Sequence, residues 1–434
     1  MIQLKTDYLK DITSTMGSEL SGRRVALCIT GSVSAYKSVD IARLLMRHGA
    51  EVVPVVSKAA LKIVTPDLLM WATGNQPITQ LTGAVEHVGL AGRGSMKVDI
   101  VVVAPCTANT ISKIASGVDD TPVTSVVSVA LGSGVPIVVV PAMHEPMYNN
   151  PFIRENLERL RRVDVKIVEP SVEEGKAKLA SGEAVLYKVV SIIGSGRLRG
   201  LRLLVTAGPT REHIDPIRVI TNPSSGKMGY TIASKAKLMG AEVSLVSGPT
   251  QLSPPPVDEI RRVETTREML SAVSGLMSEK RHDIAIFAAA PSDYAPIRPA
   301  EHKISTRELE ELELKLKATP KIIAEIRKMF PSTVMVGFKA EYALSREQLI
   351  DAAKNFKRET QLDVVVANDA AQPGTAFEGD TNQGYIVGAG DEVLEIKKTT
   401  KQLFAEQLLT YIADRLSDLR ENGAGVENSK TSPY

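Results

Sequence analysis

The sequence TNPSSGKMG, from Thr221 to Gly229, places two serines, a glycine and a lysine at a predicted helix start. An apolar run, Leu201 to Thr206, precedes it, so the local order is strand, long loop and helix. Free backbone N–H groups and the helix dipole favour an anion at such a start, although an ordinary capped helix would give the same pattern. The apolar residues that follow repeat at helical spacing: Met228, Ile232, Ala236 and Met239.

The same order of elements occurs twice along the chain. Arg24 to Ser32 (RVALCITGS) has a counterpart in Arg202 to Thr210 (RLLVTAGPT), and Gly49 to Ser57 (GAEVVPVVS) has one in Gly240 to Gly248 (GAEVSLVSG). Each half offers about five buried strands separated by helical patterns, which is typical of parallel sheets covered by helices on both faces. The sequence therefore predicts an α/β protein with two doubly wound, mostly parallel-sheet domains.

The predicted boundary between the domains is the segment GSGRLRG, which combines three glycines and two arginines without periodicity. We expect a first domain over residues 20–193, a linker over 194–200, and a second domain over 201–420. Residues 384–387 and 392–397 predict a hairpin before a last helix. The polar tail, residues 421–434, is predicted to be disordered.

Composition excludes several classes of protein. The 52 basic and 50 acidic residues give a net charge of +2, so no global field for nucleic acid or a membrane surface is expected. No apolar run approaches the roughly 20 residues of a membrane span, and the first 20 residues lack a secretory apolar region. We therefore expect a cytoplasmic protein that binds small molecules. Two cysteines, Cys28 and Cys106, do not make a disulfide framework.

Small polar residues follow the predicted strands of the first half, where ligands of parallel sheets bind. TGSVSAYK (30–37) opens a helix without a GxGxxG pattern, which favours the phosphate of a mononucleotide over a dinucleotide. PCTANT (105–110) and PAMHEPMY (141–148) follow later strands. His87 lies in the connection before the third strand, where it has either a structural or a catalytic role.

Taken together, these motifs resemble the homo-oligomeric flavin-containing cysteine decarboxylases, in order and spacing, over residues 23–190. The resemblance implies a flavodoxin-like domain that trimerises and binds FMN, oxidises a cysteine moiety and then releases CO2. It implies that His87 is the active-site histidine. The residues that it places near FMN are Gly31, Ser32, Ser34, Ser57, Thr107 and Asn109.

Two positions depart from that family. His144 stands where the family has an asparagine that holds the substrate carboxylate, a task that an imidazole could also perform. The segment from Glu173 to Gly182 contains no cysteine, whereas the bacterial members carry a proton-donating cysteine on a flap there. Lys176, Lys178 or Cys106 are alternative proton donors.

The second half carries a different set of motifs at its strand ends. TAGPT (206–210), Asp215-Pro216 with Arg218, AAAPSDY (288–294) and VGFKAE (336–341) follow one another, and Lys303 lies ten residues after Asp293. A carboxylate, lysines and an anion-binding helix start suit a nucleoside triphosphate with a divalent ion. The sequence has no GxxxxGK[ST], so this is not a P-loop.

These motifs resemble phosphopantothenate–cysteine ligase over residues 201–412. The resemblance implies that CTP, with Mg2+, activates 4′-phosphopantothenate as an acyl-cytidylate, from which cysteine displaces CMP. It implies that Asn222 binds this intermediate and that Lys303 acts in the first half-reaction. The implied nucleotide-binding positions are Ala288, Ala289, Asp293, Lys303, Pro320, Lys321, Ile322, Ile323 and Phe338. The anion-binding positions predicted from the helix start are Ser224, Ser225, Gly226 and Lys227.

A flavin decarboxylase followed by this ligase is the arrangement of the bifunctional enzymes of coenzyme A biosynthesis, which make 4′-phosphopantothenoylcysteine and decarboxylate it to 4′-phosphopantetheine. Lys321 replaces an expected aspartate, so CTP and ATP both remain candidates, and no metal ligands are identified. The alternatives are a ligase with an inactive flavin domain as a scaffold, and a regulatory flavoprotein. By the same resemblance, trimeric flavin domains joined to dimeric ligase domains would close as a dodecamer.

Overall fold

The first apolar run of the sequence forms an inner strand of a parallel sheet in the computed structural model, which describes residues 9–94, 96–305, 311–371 and 379–419. The chain divides into two units between Gly196 and Arg197. The predicted domain ranges stay predictions, and the predicted disordered tail lies outside the described residues.

The first unit is built on short strands, and the apolar residues of the first four are almost fully buried. Its strands are β1 (Arg24–Ile29), β2 (Glu51–Val56), β3 (Ile100–Cys106), β4 (Ile137–Pro141), β5 (Met143–His144), β6 (Lys166–Ile167), β7 (Ser171–Glu173) and β8 (Lys176–Lys178). Its helices are α1 (Ser38–Arg47), α2 (Pro66–Thr73), α3 (Glu86–Ala91), α4 (Ala108–Ala115), α5 (Pro122–Ser133), α6 (Glu145–Tyr148), α7 (Pro151–Arg162) and α8 (Gly182–Ile193).

The main sheet of this unit has the order β2-β1-β3-β4-β6, and all its neighbours are parallel. This is the flavodoxin-like order, with the change of direction between β1 and β3. Helices α4, α5 and α7 cover one face, where branched side chains of the strands are buried against them. A separate antiparallel sheet, β5-β8-β7, lies beyond the end of β4.

The second unit contains the longer sheet. Its strands are β9 (Arg202–Ala207), β10 (Arg211–His213), β11 (Val219–Thr221), β12 (Glu242–Ser247), β13 (Glu259–Arg262), β14 (Ile284–Phe287), β15 (Tyr294–Pro296), β16 (Leu316–Ala318), β17 (Val334–Glu341), β18 (Val364–Asp369), β19 (Thr381–Val387) and β20 (Val393–Thr400). Its helices are α9 (Lys227–Leu238), α10 (Thr266–Glu279), α11 (Ile322–Met329), α12 (Arg346–Thr360) and α13 (Lys401–Asp414).

The order β13-β12-β9-β14-β17-β18 is parallel and matches the Rossmann order 3-2-1-4-5-6, and β19 and β20 extend it as an antiparallel hairpin. Helices α9 and α13 cover one face and α10, α11 and α12 the other. The predicted α/β class and the hairpin are confirmed. The five buried strands expected for this half are present, and β13 adds a sixth parallel strand at the edge, where its half-exposed residues give little apolar signal.

Among the helices within the described residues, none combines the length and the apolar character that a membrane span needs.

Candidate active sites

A cavity of about 1000 Å³ lies at the carboxyl ends of the first sheet. The loops after β1, β2, β3 and β4 all contribute to its wall, as expected where the strand order changes direction. The six residues predicted to lie near FMN all line it: Gly31, Ser32, Ser34, Ser57, Thr107 and Asn109. The structure therefore brings together in one cavity residues that are up to 78 positions apart in the sequence.

Hydrogen bonds between the loops fix this wall. The Thr30 hydroxyl donates to the Pro105 carbonyl at 2.8 Å and accepts from the Thr107 backbone N–H at 3.1 Å, which joins the ends of β1 and β3. The Thr107 hydroxyl in turn caps α4, accepting from the Thr110 backbone N–H at 3.4 Å. Gly31 is needed for close approach, because a Cβ there would lie 2.5 Å from the Ala59 Cβ.

The cavity is cationic. Its described lining residues include one histidine and no aspartate or glutamate. The lysines that line it are Lys37, Lys58, Lys62, Lys113, Lys176 and Lys178. Three of these lysines were not predicted from the sequence as part of the site: Lys58, Lys62 and Lys113. Each lies within about seven residues of the carboxyl end of a strand, and this position could have identified them. Such a wall favours a ligand with several negative charges.

The two departures from the decarboxylase pattern meet in this cavity. His144 in β5 lies directly opposite Lys176 in the antiparallel pair β5-β8, and both line the cavity with Lys178. Lys178 also forms an ion pair with Glu174 at 3.1 Å. Cys106 is fully buried and is not among the lining residues, and burial raises the pKa of its thiol. Of the three alternative proton donors, the two lysines are therefore at the cavity and the cysteine is not.

His87 lies in α3 and is not among the residues that line the cavity. Its Nδ1 atom is buried and has no hydrogen-bond partner within the described ranges of the chain. A buried imidazole nitrogen without a hydrogen-bond partner is energetically costly. This geometry is therefore consistent with a partner that a ligand or another copy of the chain supplies. Its catalytic role stays a prediction.

In the second unit, the loops after β9 and β14 converge where that strand order changes direction. The Ala290 backbone N–H donates to the Gly208 carbonyl at 2.9 Å, and the Ser292 backbone N–H donates to the Thr210 hydroxyl at 2.9 Å. Asn222 lies against the same loop, because its side-chain amide donates to the Pro291 carbonyl at 3.0 Å. Within the described residues its amide oxygen accepts no hydrogen bond, although an amide oxygen can accept one.

The predicted helix start is confirmed. Helix α9 begins at Lys227, and its N-cap, Gly226, has φ of +77°, a left-handed conformation that favours glycine. A Cβ at Gly226 would lie 3.3 Å from the Gly208 Cα, so this glycine also allows the loops after β9 and before α9 to approach. Gly226 itself provides no side-chain cap, but the hydroxyls of Ser224 and Ser225 accept from the backbone N–H groups of Gly226 and Lys227, each at 3.4 Å. The Lys227 ammonium pairs with Asp380 at 2.9 Å.

The predicted nucleotide positions lie on four segments: the loop after β14, the loop that contains Lys303, the start of α11, and β17. Asp293 and Lys321 form an ion pair at 2.6 Å, with side chains that are 64% and 69% exposed. Lys303 is exposed as well. Pro320 and Lys321 lead into α11, which contains Ile322 and Ile323, and Phe338 lies half-buried in β17 next to it. Ala288 and Ala289 are half-buried after β14, where the Ala289 N–H donates to the Thr206 hydroxyl at 3.3 Å.

Comparisons with known proteins agree with this division. Residues 13–194 match the family described as Flavoprotein, and residues 198–416 match the DNA/pantothenate metabolism flavoprotein C-terminal domain. The chain is 45% identical over 409 residues to the Coenzyme A biosynthesis bifunctional protein CoaBC of Thermococcus kodakarensis, covering 94% of this chain and 99% of the relative. It is 35% identical over 396 residues to the CoaBC protein of Methanocaldococcus jannaschii, covering 91% and 94%.

A crystal structure of the C-terminal domain of a CoaBC protein is 36% identical, covers 52% of this chain and all of that chain, and has a TM-score of 0.43.

The fold and the two matched families define a flavoprotein joined to a pantothenate-metabolism domain. The chain belongs to the CoaBC family of bifunctional enzymes of coenzyme A biosynthesis. Because the match extends through both units, it favours the bifunctional enzyme over the two alternatives, a ligase with an inactive scaffold and a regulatory flavoprotein.

Proposed function

We propose that the second unit joins cysteine to 4′-phosphopantothenate at the expense of CTP, and that the first unit decarboxylates the product, 4′-phosphopantothenoylcysteine, to 4′-phosphopantetheine. The observation that carries the proposal is the cationic cavity, which gathers all six predicted cofactor residues and His144. Both the cofactor and the substrate of this step carry a phosphate, and the substrate also carries the carboxylate that is lost.

The residues of the cavity fit FMN. Hydroxyl groups and the start of α4 suit a phosphate, and the contact between Gly31 and Ala59 leaves no room for a side chain at that wall. When bound, FMN supplies the two-electron oxidation and reduction that this decarboxylation needs. His144 and Lys176, which lie opposite each other and line the cavity, would hold the substrate carboxylate, and Lys176 or Lys178 would donate a proton.

In the second unit, the proposed task of Lys303 is to neutralise charge that develops on the phosphates while the carboxylate attacks. Asn222, oriented by the carbonyls of Ala290 and Pro291, would then hold the acyl-cytidylate. No group of three or more metal-binding side chains occurs within the described residues, so we propose that Mg2+ arrives with the nucleotide and is held by its phosphates.

The Asp293–Lys321 pair bears on the choice of nucleotide. Lys321 stands where the ligases have an acidic residue, and its ammonium is taken up by Asp293 at 2.6 Å. The Asp293–Lys321 pair has a net charge near zero, whereas an acidic residue at position 321 would place two carboxylates there. We propose CTP as the substrate, with ATP as the competing one, in a cytoplasmic homo-oligomer of flavin-domain trimers and ligase-domain dimers.

The test is mass spectrometry of the products when purified full-length protein receives 4′-phosphopantothenate, cysteine, Mg2+ and CTP, with ATP in a parallel reaction. The proposal predicts 4′-phosphopantetheine with CTP and little product with ATP. Accumulation of 4′-phosphopantothenoylcysteine would contradict the assignment of the first unit, and product formed only with ATP would contradict the nucleotide. Sedimentation of the same sample measures the proposed dodecamer.

A further inference from the structure

The connection between β10 and β11 holds a carboxylate that is unusual for a surface hairpin. Asp215 is 1% exposed and lies in the loop between the two paired strands. One of its oxygens, Oδ1, accepts from the backbone N–H groups of Ile217 at 2.8 Å and Arg218 at 2.7 Å, which closes the turn. The Oδ1 atom of Asp215 is therefore bonded within its own loop.

The other oxygen reaches a distant part of the chain. Asp215 Oδ2 accepts from the Ile304 backbone N–H at 3.1 Å and from Arg218 Nη1 at 2.7 Å. Arg218 Nη1 also donates to the Ile304 carbonyl at 3.1 Å, so both backbone groups of Ile304 are held. Burial alone would raise the pKa of this carboxyl, but the bonds from Arg218, Ile217 and Ile304 lower it to about 2.

Ile304 directly follows Lys303, so this clamp fixes the backbone beside the lysine. A third bond, from the Ala300 backbone N–H to the Ile214 carbonyl at 2.8 Å, ties the same segment to the same loop. The Lys303 side chain is exposed and is not held by its own packing. The direction from which its ammonium can reach a ligand therefore depends on the segment that the hairpin loop holds.

The hairpin also leads to the other predicted catalytic side chain. Strand β11 ends at Thr221, whose hydroxyl donates to the Thr210 carbonyl at 2.7 Å, and Asn222 comes next. One short hairpin thus carries the clamp on Ile304 at its loop and Asn222 at its end. This arrangement couples the two positions on which the two half-reactions depend.

We propose that Asp215 is a positioning residue of the ligase reaction, which holds Lys303 for formation of the acyl-nucleotide through Ile304. The inference rests on the proposed role of Lys303. Asp215 itself is buried and bonded on both oxygens, so it neither contacts substrate nor exchanges protons in this task.

The variant Asp215→Asn separates the two faces of the side chain. Its amide oxygen can still accept from Ile217 and Arg218 and keep the turn, whereas its NH2 group would face the N–H of Ile304 and the guanidinium of Arg218. The measurement is single-turnover pyrophosphate release by the full-length protein with CTP and 4′-phosphopantothenate, without cysteine. We expect the single-turnover rate to fall about 100-fold, as for a misplaced catalytic group. The CTP concentration that gives half of the maximal rate should be nearly unchanged.

Asp258→Asn is the matched control. Asp258 accepts from the Val243 backbone N–H at 2.7 Å and from Lys237 at 2.6 Å, so its variant loses a comparable set of bonds. It immediately precedes the edge strand β13 and shares no hydrogen-bond partner with Asp215. We expect its pyrophosphate release to stay within about 3-fold of the parent, because it shares no partner with Lys303. Melting temperatures of both variants report their structural cost.

Equal losses of rate in the two variants would overturn the inference, since the effect would then follow stability. The inference would also be overturned if Asp215→Asn released pyrophosphate at the normal rate while Lys303→Gln released none. That result would leave the proposed function intact. If Lys303→Gln releases pyrophosphate at the parental rate, the proposed role of Lys303 fails, and the inference fails with it.

Discussion

The two units hold their candidate catalytic groups in different ways. In the first, the ends of four parallel strands enclose a cavity of about 1000 Å³, and the charged side chains point into it from its wall. In the second, Lys303, Asp293 and Lys321 are exposed, and what holds them is an ion pair and backbone hydrogen bonds from a neighbouring loop. Both arrangements lie where a strand order changes direction.

The difference teaches where each unit is sensitive to substitution. An enclosed site depends on shape, so an added methyl group in its wall should matter. An open site depends on hydrogen-bonded anchors, so the loss of one charge or one acceptor should matter more than a change in volume. The predictions below test this contrast.

The largest effect is expected for Lys303→Gln, which removes an exposed charge from the second unit. We expect ligation to fall about 10³-fold, because the glutamine cannot offset charge developing on the phosphates. The flavin absorbance and the decarboxylation of supplied 4′-phosphopantothenoylcysteine should be unchanged. Lys328→Gln, an exposed lysine that pairs with Glu325 on α11, is the control and should ligate normally. Full ligation by Lys303→Gln would remove this residue from the reaction.

A loss of about 10²-fold in CO2 release is expected for His87→Asn, the range for a lost acid–base group. Its Nδ1 is buried without a partner in the described part of the chain, and we expect the bound substrate to supply that partner. Release of CO2 is measured from supplied 4′-phosphopantothenoylcysteine, and ligation by the same preparation is the internal control. Equal loss of both activities would instead point to a folding defect.

Gly31→Ala tests the shape of the enclosed site. The added Cβ would lie 2.5 Å from the Ala59 Cβ, so the loop after β1 must shift. We expect about 10-fold weaker FMN binding, which corresponds to overpacking by about 1.4 kcal/mol, and normal ligation. Binding is measured by titrating apoprotein with FMN. Gly83→Ala, where a Cβ meets no atom within 4 Å, should bind like the parent, and equal affinities in both variants would contradict a close wall at Gly31.

The smallest effect concerns pH and His282, a buried histidine of the second unit. Burial lowers its pKa below the usual value; its Nδ1 lies 3.0 Å from the Lys280 carbonyl, and its Nε2 lies 3.2 Å from the Ser244 hydroxyl. The folded state therefore prefers the neutral ring. Its stabilising contribution is present above the unfolded pKa of about 6.5 and is lost as pH falls through the lower folded pKa.

The melting temperature of the protein should accordingly fall between pH 7 and pH 5, by about 2–4 °C per kcal/mol lost in a unit of this size. His282→Gln should remove the part of this decline that the imidazole causes. A decline that is as steep in the variant would assign the acid sensitivity to other groups.

Much of this arrangement could be predicted from the sequence. Apolar runs such as 201–206 and 100–106 bury both faces of a strand, and their repetition with helical patterns between them indicates parallel sheets. The polar residues after each run then identify the carboxyl edge, which is why Gly31 and Thr107 could be selected from local patterns, whereas Asn222 was selected through the resemblance to the ligase family. The edge strand β13 was missed, because a half-exposed strand of four residues has no such signal.

By itself, the sequence determined the two α/β units, their strand and helix types, and the residues at the strand ends, because burial and local propensity act within a few residues. Only the tertiary structure decided which of those residues meet. Lys176 faces His144 because β8 pairs with β5, and Cys106 is turned away from the cavity. Asp215 reaches Ile304 across 89 positions, a contact set by the packing of loops rather than by any local pattern. The anchors of the second site therefore become visible only once the chain is folded.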